Sequence, residues 1–475
     1  MISELIGKFQ RYSWYLMIAA LPITSMPLVR RLLRADSVAS PAIIFLLIFF
    51  IAWLVNGLLN EIWIPKSAFG LILFSLIAII SSLLSVFYEF PLFKNFGYFQ
   101  PMVAAVATLI IGFLFFLAAS SYPLQSDLKA NTLRIINYSG FVILIWSIFQ
   151  AVSWYTRHGY PQWMFNFQGI LSTRVLYRQR VTGFALEPSW LAHQLNLLYL
   201  PYWLSATLMK YSSHKFRIFG FSIENFLLFG GILMLALTLS RVGFAAFLLM
   251  LGLAAILTHS RLVEKIEQWL LGQFKNFKIP SRWVISVLIL FFYLFLTVSG
   301  LMIYSKVDPR MANIFSLTFA QDNPLLRYFD ELKFGDRVIY WLTGWNIFND
   351  FPVLGVGLGN AGFFFPDKIP AFGWSLIEVR KLMYRSQLLL NVKSLWFRLL
   401  AESGIVGFAF FIGWIFSLLP AFIRKYKSKQ KLDMVFGLMG AMTILALFFE
   451  GFSIDSFAMP YWWVSLGIAV ASNKQ

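Results

Sequence analysis

Arginines close to a glutamate are the groups in this sequence best suited to chemistry on a phosphorylated substrate. The segment 157–188 has no lysine, and its cations are Arg157, Arg174, Arg178 and Arg180. Guanidinium groups form paired hydrogen bonds with phosphate oxygens, whereas lysine acts as a point charge. These arginines could instead extend toward lipid headgroups. For Arg180, which is near Glu187 in sequence, we favour a functional role.

Glu187 stands directly before Pro188, at the start of an apolar run that continues to about Met209. Proline suits the first turn of a helix, and the helix dipole favours a carboxylate there, so a structural role explains the pair. A carboxylate in surroundings of low polarity can also act as a general base. We predict that Glu187 has both roles.

Ser240 and Arg241 interrupt an apolar run that is too long for one membrane span. The pattern predicts two helices joined by a very tight turn at the outer surface, with Arg241 at or slightly below the interface. A charge inside the membrane is costly unless it is paired, and it usually marks a functional site. The alternative is a structural pair with a carboxylate of another helix.

The stretch 334–365 combines Asp336 and Arg337 on a predicted amphipathic helix with glycines at 355, 357 and 359. These glycines do not follow a strand, and no Lys-Ser/Thr ending is present, so a nucleotide-binding loop is not indicated. A tight backbone path beside the membrane explains them better, with a phosphate-binding nest as the alternative. Three carboxylates are predicted as acidic partners of the arginines: Glu402, Glu450 and Asp455.

The composition is that of a membrane protein, because 59% of the 475 residues are hydrophobic and only 13% are charged. We predict an all-α polytopic protein with about twelve spans. Their approximate bounds are 13–29, 41–60, 66–87, 101–121, 133–155, 189–209, 221–239, 242–258, 284–304, 396–420, 434–449 and 455–471.

Basic loops predict the orientation of these spans, since lysine and arginine collect on the cytoplasmic side. Three basic segments, 210–217, 261–282 and 424–431, fall on one side and place both termini in the cytoplasm. Arg30, Arg31 and Arg34 then face outward, against the usual bias. Two large segments also face outward, a short loop at 157–188 and a long helical loop at 305–395 before the tenth span. We treat residues 1–475 as one membrane domain.

The net charge of +18 does not indicate nucleic acid, because no compact soluble region is present to hold such a fold. Anionic membrane lipid or an anionic lipid-linked substrate is the better partner. The chain has no cysteine, which excludes disulfides and thiolate metal sites. No Asp-x-Asp pair lies on the outward face, so we expect neither a metal nor a cofactor.

Four stretches, taken in this order, resemble the superfamily of O-antigen ligases and O-antigen or exopolysaccharide polymerases. They are R-V-T-G-F-A-L-E-P-S at 180–189, T-L-S-R at 238–241, D-R-V-I-Y-W with P-V-L-G-V-G-L-G-N at 336–360, and L-A-E-S-G-I-V-G at 400–407. The ligase branch usually has a histidine followed by asparagine before the last stretch. This chain has Asn391-Val-Lys393-Ser there, and its Glu-Pro-Ser looks more like the polymerase branch.

The resemblance implies a C-type glycosyltransferase-like fold in the bacterial plasma (inner) membrane, with the active site on the periplasmic or extracellular face. It implies a polyprenyl-diphosphate-linked oligosaccharide as donor, with Arg241 and Arg337 in contact with the diphosphate. We add Arg180, Arg178 and Arg174 as further diphosphate ligands and Glu187 as the catalytic base. Other polysaccharide assembly proteins are further candidate partners.

The predicted function is therefore a polymerase that joins lipid-linked repeat units without a metal. One alternative is a ligase that transfers the glycan to a lipid core or another acceptor. A second alternative is a transporter or flippase of the same lipid, for which internal repeats and a site at the membrane midplane would be expected.

Overall fold

The computed structural model describes residues 2–33, 39–59, 64–91, 93–94, 96–122, 126–273, 281–308, 335–386 and 389–471. Within these ranges the chain is almost entirely helical, with one two-stranded antiparallel sheet, β1 (Arg217–Ile218) and β2 (Phe221–Ser222). The first half contains α1 (Ile2–Ala20), α2 (Pro27–Leu33), α3 (Pro41–Leu59), α4 (Phe69–Leu84), α5 (Phe99–Ser121), α6 (Ser126–Arg157), α7 (Gln162–Leu171), α8 (Pro188–Gln194), α9 (Leu200–Leu208) and α10 (Ile223–Leu237).

The second half contains α11 (Arg241–Gln273), α12 (Arg282–Val307), α13 (Gly335–Asp350), α14 (Phe365–Lys368), α15 (Ile377–Tyr384), α16 (Leu395–Tyr426), α17 (Lys431–Glu450) and α18 (Pro460–Val470). A π-helical turn, Leu195–Tyr199, joins α8 to α9. Short 3-10 turns lie at Lys66–Ala68, Ser85–Phe87, Ala361–Phe364 and Ala371–Ser375.

Eight of the described helical segments are long and apolar enough to cross a membrane. They are Pro41–Leu58, Lys66–Phe87, Phe99–Ser121, Asp127–Arg157, Arg241–Gln273, Arg282–Val307, Leu395–Tyr426 and Lys431–Glu450, and a shorter apolar helix spans Ile223–Leu237. These agree with nine of the twelve predicted spans and with a polytopic all-α membrane protein.

The other three predicted spans have a different form. The first, 13–29, is divided between α1 and α2, because α1 ends at Ala20 and a non-helical segment with Pro22 follows. The span at 189–209 is α8, the π-helical turn and α9 in succession. The last, 455–471, contains only the eleven residues of α18, all of them buried.

The segment Pro188–Leu208 lies in the middle of the bundle although it is rich in polar side chains. His193, Gln194 and Asn196 are each at most 1% exposed. Polar groups inside a membrane must face protein or a water-filled cavity rather than lipid. More apolar helices therefore surround this segment, with α10 and α17 packed against α9.

Predicted outward segments contact one another in the structure. The segment after α1 contacts the loop after α7, since Thr173 N donates to Ser25 O at 2.9 Å. Trp341 of α13 packs against Phe452, which follows α17, with ring centroids 5.3 Å apart. The second contact agrees with the predicted topology, in which 305–395 and the turn after α17 lie on one side, whereas Ser25 falls within the predicted first span, 13–29.

The glycine-rich stretch after α13 inserts into a break in α16. Gly404 has non-helical dihedrals of φ 62° and ψ −169° inside α16. There, Val356 N donates to Ala401 O at 2.9 Å, and Ile405 N donates to Pro352 O at 2.8 Å. The loop thus satisfies backbone groups that the interrupted helix cannot pair internally. The predicted tight path is confirmed, because all three predicted glycines have positive φ values of 69°, 84° and 79°.

We expect Gly404→Ala to destabilise the protein by about 1–3 kcal/mol. The backbone at position 404 has a positive φ that an alanine rarely adopts, and the added β-carbon would meet the carbonyl of Val353. Gly413→Ala is the matched control, because Gly413 lies on the same helix with nothing within 4 Å of an added β-carbon. Thermal unfolding of the purified protein in detergent measures both variants. Equal unfolding midpoints for the two variants would contradict the joint that we propose here, the insertion of the glycine-rich stretch into the break at Gly404.

Candidate functional site

The turn between α10 and α11 brings a predicted cation to the start of a long helix. Residues 238–240 are the only ones between the two helices, and α11 begins at Arg241, so the predicted tight turn is confirmed. Leu239 adopts a positive φ of 50°. Thr238 Oγ1 accepts from Ser240 N at 3.2 Å, and Ser240 Oγ accepts from Gly243 N at 3.3 Å. The side chain of Arg241 is partly buried.

Arg180 lies at this same turn. Its Nε donates to Thr238 O at 2.9 Å, and Val181 N donates to Leu237 O at 3.1 Å. The structure therefore places two predicted diphosphate ligands at one short turn, Arg180 bonded to Thr238 and Arg241 at the start of α11. Because the backbone N–H groups that begin a helix carry partial positive charge, the start of α11 adds to the charge of the arginines.

A buried glutamine organises the loop that carries Arg180. Gln150 Oε1 accepts from Thr182 N at 2.9 Å and from Gly183 N at 3.0 Å, and its Nε2 donates to Gly183 O at 3.0 Å. Gly183 has a positive φ of 56°. Nothing in the sequence near Gln150 marks this role, since the residue lies inside the apolar helix α6.

The partner of Glu187 is Arg174, not Arg180. Arg174 Nη1 lies 2.5 Å from Glu187 Oε1, and these side chains are 54% and 32% exposed. The apolar surroundings predicted for Glu187 are therefore absent. The predicted capping position is confirmed, because Glu187 is the N-cap of α8 and Pro188 occupies the first turn. The side chain of Glu187 makes no capping hydrogen bond, and its carbonyl oxygen accepts the first hydrogen bond of the helix from Trp190 N at 3.0 Å.

Arg174 remains a cation in this arrangement. Partial burial acts against its charged form, but the hydrogen bond to Tyr177 and the charge of Glu187 outweigh it and raise the pKa of Arg174. Arg178, the remaining predicted ligand of this loop, is exposed.

Glu450 is completely buried and pairs with a histidine that the sequence did not suggest. Its Oε2 lies 2.7 Å from His193 Nδ1, and its Oε1 accepts from Asn196 Nδ2 at 2.6 Å. Asn196 Nδ2 also donates to Gly243 O at 2.7 Å, two residues after Arg241. Instead of balancing an arginine, as predicted, Glu450 joins α8 and the start of α11 to the end of α17.

A sequence signal for this pair existed. His193 and Asn196 are three residues apart in an apolar run, a spacing that places both on one face of a helix. The π-helical turn begins between them, at Leu195, and includes Asn196. Such turns are frequent at functional sites.

The other two predicted carboxylates also have partners different from those predicted. Glu402 Oε2 accepts from Arg398 Nε at 2.8 Å, one helical turn earlier on α16. Asp455 Oδ2 accepts from Asn391 Nδ2 at 3.2 Å, and its backbone carbonyl accepts from Arg398 Nη1. Arg398 was not among the predicted cations, because its position inside α16 resembles that of a structural charge.

Arg337 lies on α13 and is partly buried. This helix packs against α16 and the segment after α17, where Trp341 stacks on Phe397 with ring centroids 6.0 Å apart. Phe452, the other ring against Trp341, lies two residues after Glu450. The helix that carries Arg337 is thus next to the end of α17 that bears the buried carboxylate. The side chain of Asp336 lies outside the described residues.

A comparison with known protein families finds a match that includes several of these segments. Residues 226–412 match a family model described as O-Antigen ligase. The matched segment contains the Thr238–Arg241 turn, α13, the glycine-rich stretch and the break in α16. No curated protein matches the chain.

The matched segment covers less than half of the chain, and the two branches of the superfamily are not distinguished by it. The R-V-T-G-F-A-L-E-P-S stretch precedes the match, but Arg180 is bonded to the turn inside it. Residues 226–412 are thus similar to the O-Antigen ligase family, in agreement with the resemblance seen in the sequence, and the eight apolar helices agree with a multi-pass membrane protein.

Proposed function

We propose that the protein is a polymerase of lipid-linked oligosaccharide repeats, active on the outer face of the bacterial plasma membrane. The observation that carries the proposal is the hydrogen bond from Arg180 to Thr238, which holds a second arginine at the turn before Arg241. Two guanidinium groups and a helix N-terminus at one place suit a diphosphate, which carries several negatively charged oxygens.

In the proposed reaction, a sugar hydroxyl of one lipid-linked repeat attacks the anomeric carbon of the glycan on a second polyprenyl diphosphate. A new glycosidic C–O bond forms as the bond between the anomeric carbon and the diphosphate oxygen breaks. The diphosphate leaves with the electron pair, and the hydroxyl proton passes to a base. The charge that develops is on the leaving oxygen, so preorganised cations lower the barrier most.

Arg180, Arg241 and Arg337 are the proposed cations for that charge. Arg178 and Arg174 are further ligands at the mouth of the site, where both are exposed. With arginine supplying the positive charge, no step of the reaction requires a metal. The donor is a polyprenyl-diphosphate-linked oligosaccharide in this proposal.

Glu187 is the proposed base. Its side chain is 32% exposed, so an acceptor hydroxyl has access to it. The ion pair with Arg174 fixes the orientation of the carboxylate, and Ser189 Oγ lies 3.5 Å from its second oxygen. Glu187 is also the N-cap of α8, the helix that carries His193.

A ligase is the second candidate, because the matching family model is described as O-Antigen ligase. The position near which ligases usually carry histidine has Lys393 here. Lys393 Nζ is 2.5 Å from Glu378 Oε1 and lies over the ring of Tyr340, 4.2 Å from its centroid. A lysine held in this way differs in charge and proton chemistry from a histidine, which favours the polymerase.

Purified protein in liposomes, supplied with lipid-linked repeats on the outward side only, distinguishes the two candidates. We expect a ladder of products that differ by one repeat unit. Transfer of a single glycan to an added lipid core, without a ladder from repeats alone, would indicate the ligase instead. The absence of any new glycosidic bond would contradict both.

We expect Arg241→Ala and Arg337→Ala each to reduce the rate of glycosyl transfer by about 10² to 10³, because each removes one donor to the charge of the leaving diphosphate. The matched control is Arg157→Ala, which removes an exposed arginine at the end of α6. All variants are compared at wild-type expression level in the liposome assay. Full-length polysaccharide from both variants would exclude the two residues as the diphosphate clamp.

For Glu187, the informative comparison is between Glu187→Gln and Glu187→Ala across pH. A glutamine keeps the shape of the side chain but accepts no proton, so we expect both variants to lose activity by about 10² to 10⁴. Both should also lose the acidic limb of the pH–rate profile. If Glu187→Gln retains a near-normal rate while Glu187→Ala does not, the role of the residue is structural.

A further inference from the structure

A cleft lined by arginines lies beside the ion pair of Arg174 and Glu187. It has a volume of about 710 Å³ and lies between α2 and α7. Its lining includes Arg30, Arg31 and Arg174, together with Gly169, Ser172 and Thr173. None of the described side chains that line it is acidic.

Hydrogen bonds connect the two sides of the cleft, the segment before α2 and the segment after α7. Ser25 and Ser172 form a parallel β-bridge, Thr173 N donates to Ser25 O at 2.9 Å, and the hydroxyls of Ser25 and Thr173 lie 2.6 Å apart. This pairing fixes the start of α2, and therefore Arg30 and Arg31, against the segment that carries Arg174.

The positions of Arg30 and Arg31 need an explanation beyond general membrane topology. The positive-inside rule disfavours cations in short outward loops. The structure nevertheless places both exposed arginines beside Arg174, which belongs to the predicted outward segment 157–188. Arg34, the third arginine of this loop, lies outside the described residues.

One wall of the cleft is connected directly to the proposed catalytic groups. Arg174 contacts Glu187 through Nη1 at 2.5 Å. Six residues after Arg174, Arg180 binds the carbonyl of Thr238 at the turn before Arg241. Leu186 N, adjacent to Glu187, donates to Thr24 Oγ1 at 2.8 Å and so ties this segment to the chain that leads into α2.

We propose that this cleft is a second anion site, which binds the phosphoryl group of the lipid that carries the acceptor glycan. The shared chemistry is a phosphate or diphosphate borne on a membrane lipid, which arginine forks recognise through paired hydrogen bonds. The acceptor assignment rests on the proposed function, in which two lipid-linked glycans react. In that arrangement Arg180 and Arg241 bind the donor diphosphate, and Arg174 contacts the acceptor lipid at the cleft beside Glu187 instead of the donor.

Native mass spectrometry of the full-length protein in neutral detergent, titrated with polyprenyl diphosphate, tests the cleft without any glycosyl transfer. Wild type should retain two molecules. The variant Arg30→Ala/Arg31→Ala should retain one and bind the second roughly ten- to hundredfold more weakly. Both side chains are exposed, so the variant should stay folded, which its unfolding midpoint checks.

A cleft-filling variant gives an independent measurement. Nothing lies within 4 Å of a β-carbon added at Gly169, so Gly169→Leu extends into open space and should also remove one binding event. Gly252→Leu is the matched control, since its added β-carbon likewise meets nothing within 4 Å, but it lies on α11, away from the cleft.

Two bound molecules in both cleft variants would overturn the proposal. Equal competition by phosphatidylglycerol would also overturn it, because the cleft would then serve bulk lipid rather than the acceptor. Arg241→Ala separates this proposal from the proposed function. If Arg241→Ala retains two molecules while the cleft variants retain one, the donor clamp fails and the cleft stands; the opposite result removes the cleft and leaves the clamp.

Discussion

The buried carboxylate of Glu450 is the constraint on which the rest of the assembly depends. A charged group taken out of water is stable only when hydrogen-bonding partners surround it. His193 Nδ1 at 2.7 Å and Asn196 Nδ2 at 2.6 Å supply those partners. Because Asn196 also holds Gly243 O, satisfying this one carboxylate fixes three helices relative to one another. The helix that follows Glu187 and the helix that begins at Arg241 therefore have a common buried anchor.

That anchor explains how the middle of the bundle accommodates a helical segment with buried polar side chains. Pro188–Leu208 is enclosed by more apolar helices, and the residues before and after it carry the proposed chemistry. Arg180 precedes it and bonds to the turn at Thr238, and the loop between them is organised by Gln150. Arg241 thus lies at the start of a helix, and Arg180 lies on a loop that buried hydrogen bonds hold in place, as preorganised charge requires.

Local features of this fold could be predicted from sequence, whereas the pairing of charges could not. Apolar length identified nine spans, and glycine identity predicted the positive φ values at 355, 357 and 359. The Ser-Arg turn followed from the length of one apolar run. By contrast, Glu187 pairs with Arg174, and Glu402 with Arg398, because partner choice depends on which helix ends meet in space. Helical spacing of His193 and Asn196 was a usable signal, but it does not name Glu450 as their acceptor.

The joint between the glycine-rich stretch and α16 is made mainly by main-chain atoms, with Ser81 Oγ donating to Leu354 O and Glu402 O, and this has a consequence for which positions can vary. Val356 N and Ile405 N donate to carbonyls of the opposite segment, so the joint depends on backbone geometry and on Gly404. The side chains at Val353 and Leu354 contribute no hydrogen bond to it. Those side chains can therefore be exchanged while the backbone hydrogen bonds of the joint keep the two segments in register.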